Sequence, residues 1–449
     1  MTKRIKPFEK TAGWWQAVYI APVRPPFLWV EEDTFINFKG YNLLLTPAVE
    51  KAYPTVYLNT QMHHPADTPK EPINIILEFL SAFAWISEQQ FEIRGTGASQ
   101  YLIKHVGCEQ YIQPYKHFYF EDIPEITDKK SQLALALYRE ARSVTHPAYQ
   151  FLGFYKIINL IHPTSKQQME WINNNIAKTK DQQAKERLKE LQKTESDIGN
   201  YLYASCRCAI SHASITTTVI NPDDYNDYKR MYWDLPLIEE LARLIITQDL
   251  GIESRHDIFL KHLYELSGFK TLLPQSFIKK LESGQKLLES DFPEIPNLSI
   301  RLNGYKPFEV LENLNARICA YNNKAIAIEC YSNEKYFKTN IFLNFDEERL
   351  HTDWFSPENV FLGDDGTPEA CDRIINFLEF KKEYILNGAL EVWDADKYEL
   401  LGRCDPFMPV NCMPNLDWFK QEFEKLSKLK QDRQTQQEVT SETKNNQTD

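Results

Sequence analysis

The stretch Arg207–His212 reads RCAISH and lies in the segment Asp197–Ala213, which the sequence predicts to be a single helix. It places an arginine and a histidine five residues apart, and these are the two groups that cleavage of RNA without a metal requires. A guanidinium holds the phosphodiester and stabilises the charge of the transition state, while an imidazole transfers the proton. Arg207 and His212 are therefore candidate catalytic residues, and Ser211 is a candidate hydrogen-bond donor.

The spacing of the two groups also bears on assembly. Residues five apart on an α-helix lie about 140° from each other around the helix axis. One helix therefore does not easily place both groups on one phosphate, whereas a second copy of the helix could supply the missing group. We expect a homodimer for this reason.

Composition limits the possible classes of protein. The chain has 449 residues with 26 Phe, 23 Tyr and 9 Trp, which is enough apolar material for two or three folded domains. The net charge of −12 makes general binding to phosphate backbones unfavourable, so nucleic acid would have to bind at a local patch. No signal peptide or membrane span is predicted, and eight scattered cysteines without a CxxC pair predict reduced thiols in a cytoplasm.

Patterning along the chain predicts three folded regions and a tail. Residues 1–125 combine short Val-, Tyr- and Ile-rich strands with a helix, which is typical of an α+β region. Residues 128–268 have apolar positions at helical spacing and predict a helical bundle, with an exposed, charged helical hairpin inserted at 166–193. Short strands and one helix predict a second α+β region over 297–423, and polar composition predicts a disordered tail over 424–449. The predicted fold class is thus α+β: a central all-α bundle flanked by N-terminal and C-terminal mixed α/β regions.

The Arg-x4-His spacing in helical surroundings resembles the HEPN family of helical domains, many of which are ribonucleases. The resemblance covers roughly residues 128–250, and it rests on Arg207, His212 and the apolar helix that precedes them at Tyr149–Leu160. It implies a helical fold and a metal-independent nuclease site built from those two residues. It also implies a homodimer in which motifs from two subunits face each other across a cleft.

The chain is also similar to the methylamine-utilisation MauJ family. The similarity is carried by four segments: Phe79–Trp85, Ala134–Ala141, Tyr149–Lys156 and Ser211–Ala213. The family name describes a gene neighbourhood and not a reaction, so this resemblance implies relatedness without a particular chemistry.

Other interpretations of the same residues stay open. Cys208 and His212 lie four residues apart and could bind zinc, but no second pair at ligand spacing accompanies them, and a packed thiol beside a histidine is the default. No metal and no cofactor are therefore predicted. His146 precedes a proline and is predicted to fix a turn or cap a helix. Glu140 is predicted to form a structural ion pair, for which Arg207 is one candidate.

Two functions are compatible with these patterns. The first is a metal-independent endoribonuclease of a bacterial defence or stress system, with RNA as its partner. The second is a non-catalytic interaction or accessory protein whose helical region dimerises, with a further protein partner open. The Arg207 and His212 pair favours the first function. The acidic charge favours the second, as does Cys208, because nucleases of the HEPN type usually have a polar residue at that position.

Overall fold

A computed structural model describes residues 2–10, 13–24, 27–49, 51–60, 71–107, 112–115, 118–211, 219–221, 223–322, 324–386, 388–405 and 414–445. The chain divides into two compact units, Met1–Ile258 and Phe259–Asp449. No helix among the described residues combines the length and the apolar character needed to cross a membrane.

The first unit begins with β-structure. Its strands are β1 Lys3–Arg4, β2 Trp15–Pro22, β3 Phe27–Val30, β4 Thr34–Phe38, β5 Tyr41–Thr46, β6 Thr55–Asn59, β7 Phe91–Ser99 and β8 Ile112–Tyr115. Six of them form an antiparallel sheet in the order β1-β4-β5-β6-β2-β7, while β3 and β8 form a parallel pair. The β4–β5 hairpin turns at Lys39 and Gly40, both with positive φ, and such a conformation at both central residues characterises the tight turns that match strand twist.

Helices make up the rest of the first unit. They are α1 Pro72–Ser87, α2 Lys129–Ser143, α3 Pro147–Ile161, α4 Ser165–Asn175, α5 Gln182–Leu191, α6 Ile198–Asn200, α7 Ala209–Ser211, α8 Tyr225–Leu244 and α9 Arg255–Lys261, the last crossing the boundary between the units. Local capping explains several starts. The Asp128 carboxylate accepts the backbone N–H of Ser131 at 2.7 Å at the start of α2. Thr164 and Gln167 form a capping box at the start of α4.

Helix α1 lies between the sheet and the later helices. On the sheet side, the ring of Phe83 meets Trp29 edge-on at 5.5 Å between centroids. On the other side, the ring of Trp85 meets Tyr138 of α2 at 5.1 Å, and its indole N–H donates to the carbonyl of Glu253. A helix that is apolar on both sides is stable in water only when both sides are covered.

The predicted fold class is therefore wrong in its central claim. The helices after Asp128 do not form a separate all-α bundle, because one hydrophobic core runs from the strands through α1 into α2, α3 and α8. Val18 and Leu43 of the sheet belong to the same core as Phe151 and Leu241 of the helices. The architecture is mixed α/β, with sheets towards both ends of the chain and helices in the middle.

The described residues of the second unit form two sheets and four further α-helices. The helices are α10 Ser267–Leu272, α11 Gln275–Glu282, α12 Pro368–Ile385 and α13 Leu416–Asn445. Strands β10 Asn315–Asn322, β11 Ala325–Tyr331, β12 Phe337–Asn344, β13 Arg349–Thr352 and β14 Val360–Leu362 form one sheet, and β9 Leu298–Leu302, β15 Leu390–Asp394 and β16 Glu399–Cys404 form the other. The range 424–449, predicted as a disordered tail, lies mostly within α13, where Arg433 donates to both oxygens of Asp364 at 2.7 Å.

The shared core leads to a testable expectation. A fragment of residues 126–258 should fail to unfold cooperatively in urea, because without α1 it exposes the apolar surface around Tyr138. The matched fragment of residues 1–258 should give a sigmoidal transition by far-ultraviolet circular dichroism. A sharp transition of the shorter fragment would show that the helices have a core of their own.

Candidate functional site

The segment with the candidate arginine is not a regular α-helix. It begins as α6, continues as a π-helix over Tyr201–Cys208, and ends as the short α7. A π-helix closes its hydrogen bonds between residues i and i+5, is rare, and is found frequently at functional sites. The prediction of one regular α-helix is therefore wrong for the described part of the segment, which ends at Ser211. The angle between Arg207 and His212 that motivated a homodimer stays a prediction, because His212 lies outside the described residues.

A buried carboxylate holds the π-helix in place. Asp234 of α8 is fully buried and accepts three hydrogen bonds from other parts of the unit. The Tyr201 hydroxyl donates to it at 2.8 Å, Arg187 Nε of α5 at 2.8 Å, and the Cys206 thiol at 3.5 Å. Asp234 thus connects α8, α5 and both ends of the π-helix.

The electrostatics of this cluster follow from its burial. Burial favours the neutral form of Arg187, yet Asp234 outweighs it and raises the pKa of the guanidinium above its usual value. Burial, and then the charge of Asp234, raise the pKa of the Cys206 thiol well above its usual value. The cluster is consequently built on a fixed ion pair, with Arg230 and Glu190 as further charged neighbours, and its neutral thiol is not a nucleophile.

Arg207 differs from Arg187 in its surroundings. Its side chain is half-buried, its guanidinium carbon lies 5.7 Å from the ring centroid of Tyr203, and Nη1 donates to the Cys208 sulfur at 3.7 Å. Within the described part of the chain, no carboxylate lies at ion-pair distance from it. A guanidinium held against an aromatic ring without an anionic partner is suited to bind an anion from solution.

A buried hydroxyl lies close to this arginine. Tyr155 of α3 is 1% exposed, its ring centroid is 6.5 Å from that of Tyr203, and its hydroxyl has no hydrogen-bond partner among the described residues. Burial raises the pKa of Tyr155, Tyr203 raises it further, and the charge of Arg207 partly opposes both. Tyr203 and Arg207 of the π-helix and Tyr155 of α3 therefore form one aromatic–cation cluster.

The other residues predicted from the sequence have different positions. Ser211 is exposed at the end of α7, whereas His212 lies outside the described residues, so its pairing with Arg207 stays a prediction. Glu140 is exposed on α2 and forms no ion pair with Arg207. His146 caps α3, since its Nδ1 accepts the backbone N–H of Ala148 at 3.3 Å, and this prediction is confirmed. No group of three or more metal-ligating side chains was found among the described residues.

Sequence reasoning missed Asp234 and Tyr155. A signal for Asp234 was available, because Met231, Asp234, Ile238 and Leu241 recur at helical spacing on the buried face of α8. A carboxylate at such a position is rare unless it is paired. Tyr155 gave no comparable signal, since a tyrosine in an apolar helix face is ordinary.

Comparison with known proteins identifies one related family. Residues 134–247 match the family model described as "Methylamine utilization protein MauJ", from within α2 to the π-helical turn after α8. The predicted MauJ resemblance is thereby confirmed for this range. No curated protein and no solved structure matches the chain.

Replacing the buried carboxylate tests its structural role. Asp234→Asn should lower the free energy of unfolding by about 1–3 kcal/mol, because the buried charged acceptor of three hydrogen bonds is lost and Arg187 keeps only the more exposed Glu190 as a counterion. Urea unfolding measures this loss. Asp223→Asn, on the exposed loop before α8, is the matched control and should change stability by less than about 0.5 kcal/mol. Equal stability of the two variants would contradict the role assigned to Asp234.

Proposed function

We propose that the region of residues 134–247 binds RNA at Arg207 and cleaves it without a metal. The observation that carries the proposal is the Arg207 guanidinium, which is held over Tyr203 with no carboxylate at ion-pair distance among the described residues. A planar guanidinium binds two oxygens of a phosphodiester at once, and the charge it supplies is the charge that the transition state develops. The resemblance of the Arg-x4-His spacing to HEPN ribonucleases supports the same reaction.

Besides the arginine, which binds the phosphate, the reaction needs a group that removes a proton. His212 would remove the proton of the ribose 2′-hydroxyl, whose oxygen then forms a bond to phosphorus while the bond from phosphorus to the 5′-oxygen breaks. The departing 5′-oxygen takes up a proton from solvent water, so that the products are a 2′,3′-cyclic phosphate and a 5′-hydroxyl. Ser211, exposed at the end of α7, would donate a hydrogen bond to the phosphate. The acidic charge of the chain makes this a local site and not a general RNA-binding surface.

The nuclease proposal is tested with labelled single-stranded RNA in EDTA. Wild-type protein should cut the RNA, and His212→Ala and Arg207→Ala should each lower the rate by about 10²-fold or more, the scale of one acid–base group or one charge-stabilising donor. Arg207→Lys should restore only part of the rate, since a point charge lacks the planar fork of a guanidinium.

Matched controls separate catalysis from stability. His256→Ala and Arg94→Ala change exposed residues of the same unit and should leave both the rate and the melting temperature unchanged. Intact RNA after incubation with wild-type protein would count against the proposal, and so would activity that EDTA removes and Mg²⁺ restores.

A second function is favoured by the exposed face of α8. Tyr225, Tyr228 and Tyr232 follow each other at helical spacing and are 73%, 40% and 52% exposed, and Trp233 beside them is 51% exposed. We call these four residues the α8 aromatic face. Tyrosine and tryptophan are enriched in protein interfaces because they bury a large apolar area at low cost in conformational entropy. This face supports an interaction protein whose partner is a second copy of the chain, paired about a two-fold axis.

Sedimentation velocity at micromolar concentration tests the dimer. Wild-type protein should sediment as a dimer, and Tyr228→Asp combined with Tyr232→Asp should give monomers, because like charges would meet across the two-fold axis. Tyr101→Asp, a matched change at a residue that is 69% exposed in the same unit, should stay dimeric. A strictly monomeric wild-type protein would exclude this function.

A further inference from the structure

The first unit contains a cavity away from Arg207. It has a volume of about 460 Å³ and lies between the β4–β5 turn, α1 and α2. Its lining is mainly apolar and includes Leu77, Ala82, Ile126, Leu133 and Ala136. Small-molecule sites in proteins typically have roughly this volume and this apolar character, with a few polar groups that fix the orientation of the ligand. We call this cavity the α1–α2 pocket.

Two of the charged groups in the pocket neutralise each other. Lys39 Nζ pairs with the Glu78 carboxylate at 2.7 Å and also donates to the carbonyl of Ile126. Both charged side chains are mostly buried, with 15% and 18% exposure. This ion pair fixes the β4–β5 turn against α1. Because Glu78 is already paired with Lys39, its carboxylate is not available to a cationic ligand.

Of the two remaining charged groups, Lys129 is exposed at the start of α2. Arg139 of α2 is the more buried of the two, and it differs from Lys39. Its Nη1 donates to the carbonyl of Leu77 at the long distance of 3.4 Å, and among the described residues no carboxylate lies at ion-pair distance. Burial lowers the pKa of Arg139, while Glu140 partly opposes the decrease, so the charged guanidinium is short of solvation. A guanidinium has five N–H donors, and a partly desolvated one is stabilised by an anion that accepts them.

We propose that the α1–α2 pocket binds a small organic carboxylate with an apolar body, and that the carboxylate pairs with Arg139. The apolar lining favours a hydrocarbon chain or ring over a sugar or a nucleotide. A neutral ligand of the same shape would leave the guanidinium without an anion, and an amine would be repelled by it. The nuclease site at Arg207 plays no part in this proposal, so each can fail without the other.

Isothermal titration calorimetry with three eight-carbon compounds tests the head group. Octanoate should bind, 1-octanol should bind at least about tenfold more weakly because it lacks the charge-assisted hydrogen bonds, and octylamine should not bind.

The apolar body of the ligand is tested with hexanoate, octanoate and decanoate below their micelle-forming concentrations. Affinity should rise about fourfold for each added CH₂ until the pocket is filled.

Variants locate the ligand. Arg139→Gln should abolish the preference for octanoate over 1-octanol, and Ala136→Phe should block both compounds by filling the cavity without a change of charge. Arg94→Gln, the matched control on β7, is an exposed arginine of the same unit and should bind as wild type does. If Arg139→Gln fails to fold, Ala136→Phe and the alcohol comparison still decide the question. The proposal is overturned if octanoate does not bind, if 1-octanol binds equally well, or if Ala136→Phe binds octanoate like wild type.

Discussion

The burial of α1 on two sides is the constraint on which the first unit depends. Phe83 packs on Trp29 of the β3–β8 pair, and Trp85 packs on Tyr138 of α2. The strands and the later helices therefore share one hydrophobic core. The same helix lines the α1–α2 pocket, together with residues of α2 and the β4–β5 turn. Helix α1 thus contributes both to the architecture and to the cavity.

Polar contacts determine the position of the π-helix, which apolar packing alone does not. Hydrophobic burial is not directional, so it does not by itself determine where the π-helix lies. The Asp234 carboxylate does, because its hydrogen bonds to Tyr201, Arg187 and Cys206 join three segments at defined distances. A π-helix is rare because its backbone geometry is less favourable than that of an α-helix. Here the hydrogen bonds to Asp234 stabilise it.

The arginines of the first unit differ in whether a carboxylate neutralises their charge. Arg187 has Asp234 as a buried counterion and serves to brace the helices. Arg207 and Arg139 lie in the same unit, and within its described residues neither has a carboxylate at ion-pair distance. An arginine that is partly desolvated without a counterion is costly to a fold, and binding of an anion relieves that cost. The two proposed sites therefore rest on one physical argument applied at two separate places.

The sequence by itself determined the local elements. Helical spacing over 128–268 predicts helices such as α2, and the short-strand pattern over 297–423 predicts strands such as β9 and β15, as the structure has them. Periodicity and capping decide such elements within a few residues. Only the tertiary structure decided that α1 merges the sheet and the helices into one core, and that the segment with Arg207 is a π-helix. Both depend on contacts such as that of Tyr201 with Asp234, which are distant in sequence and leave no periodic pattern.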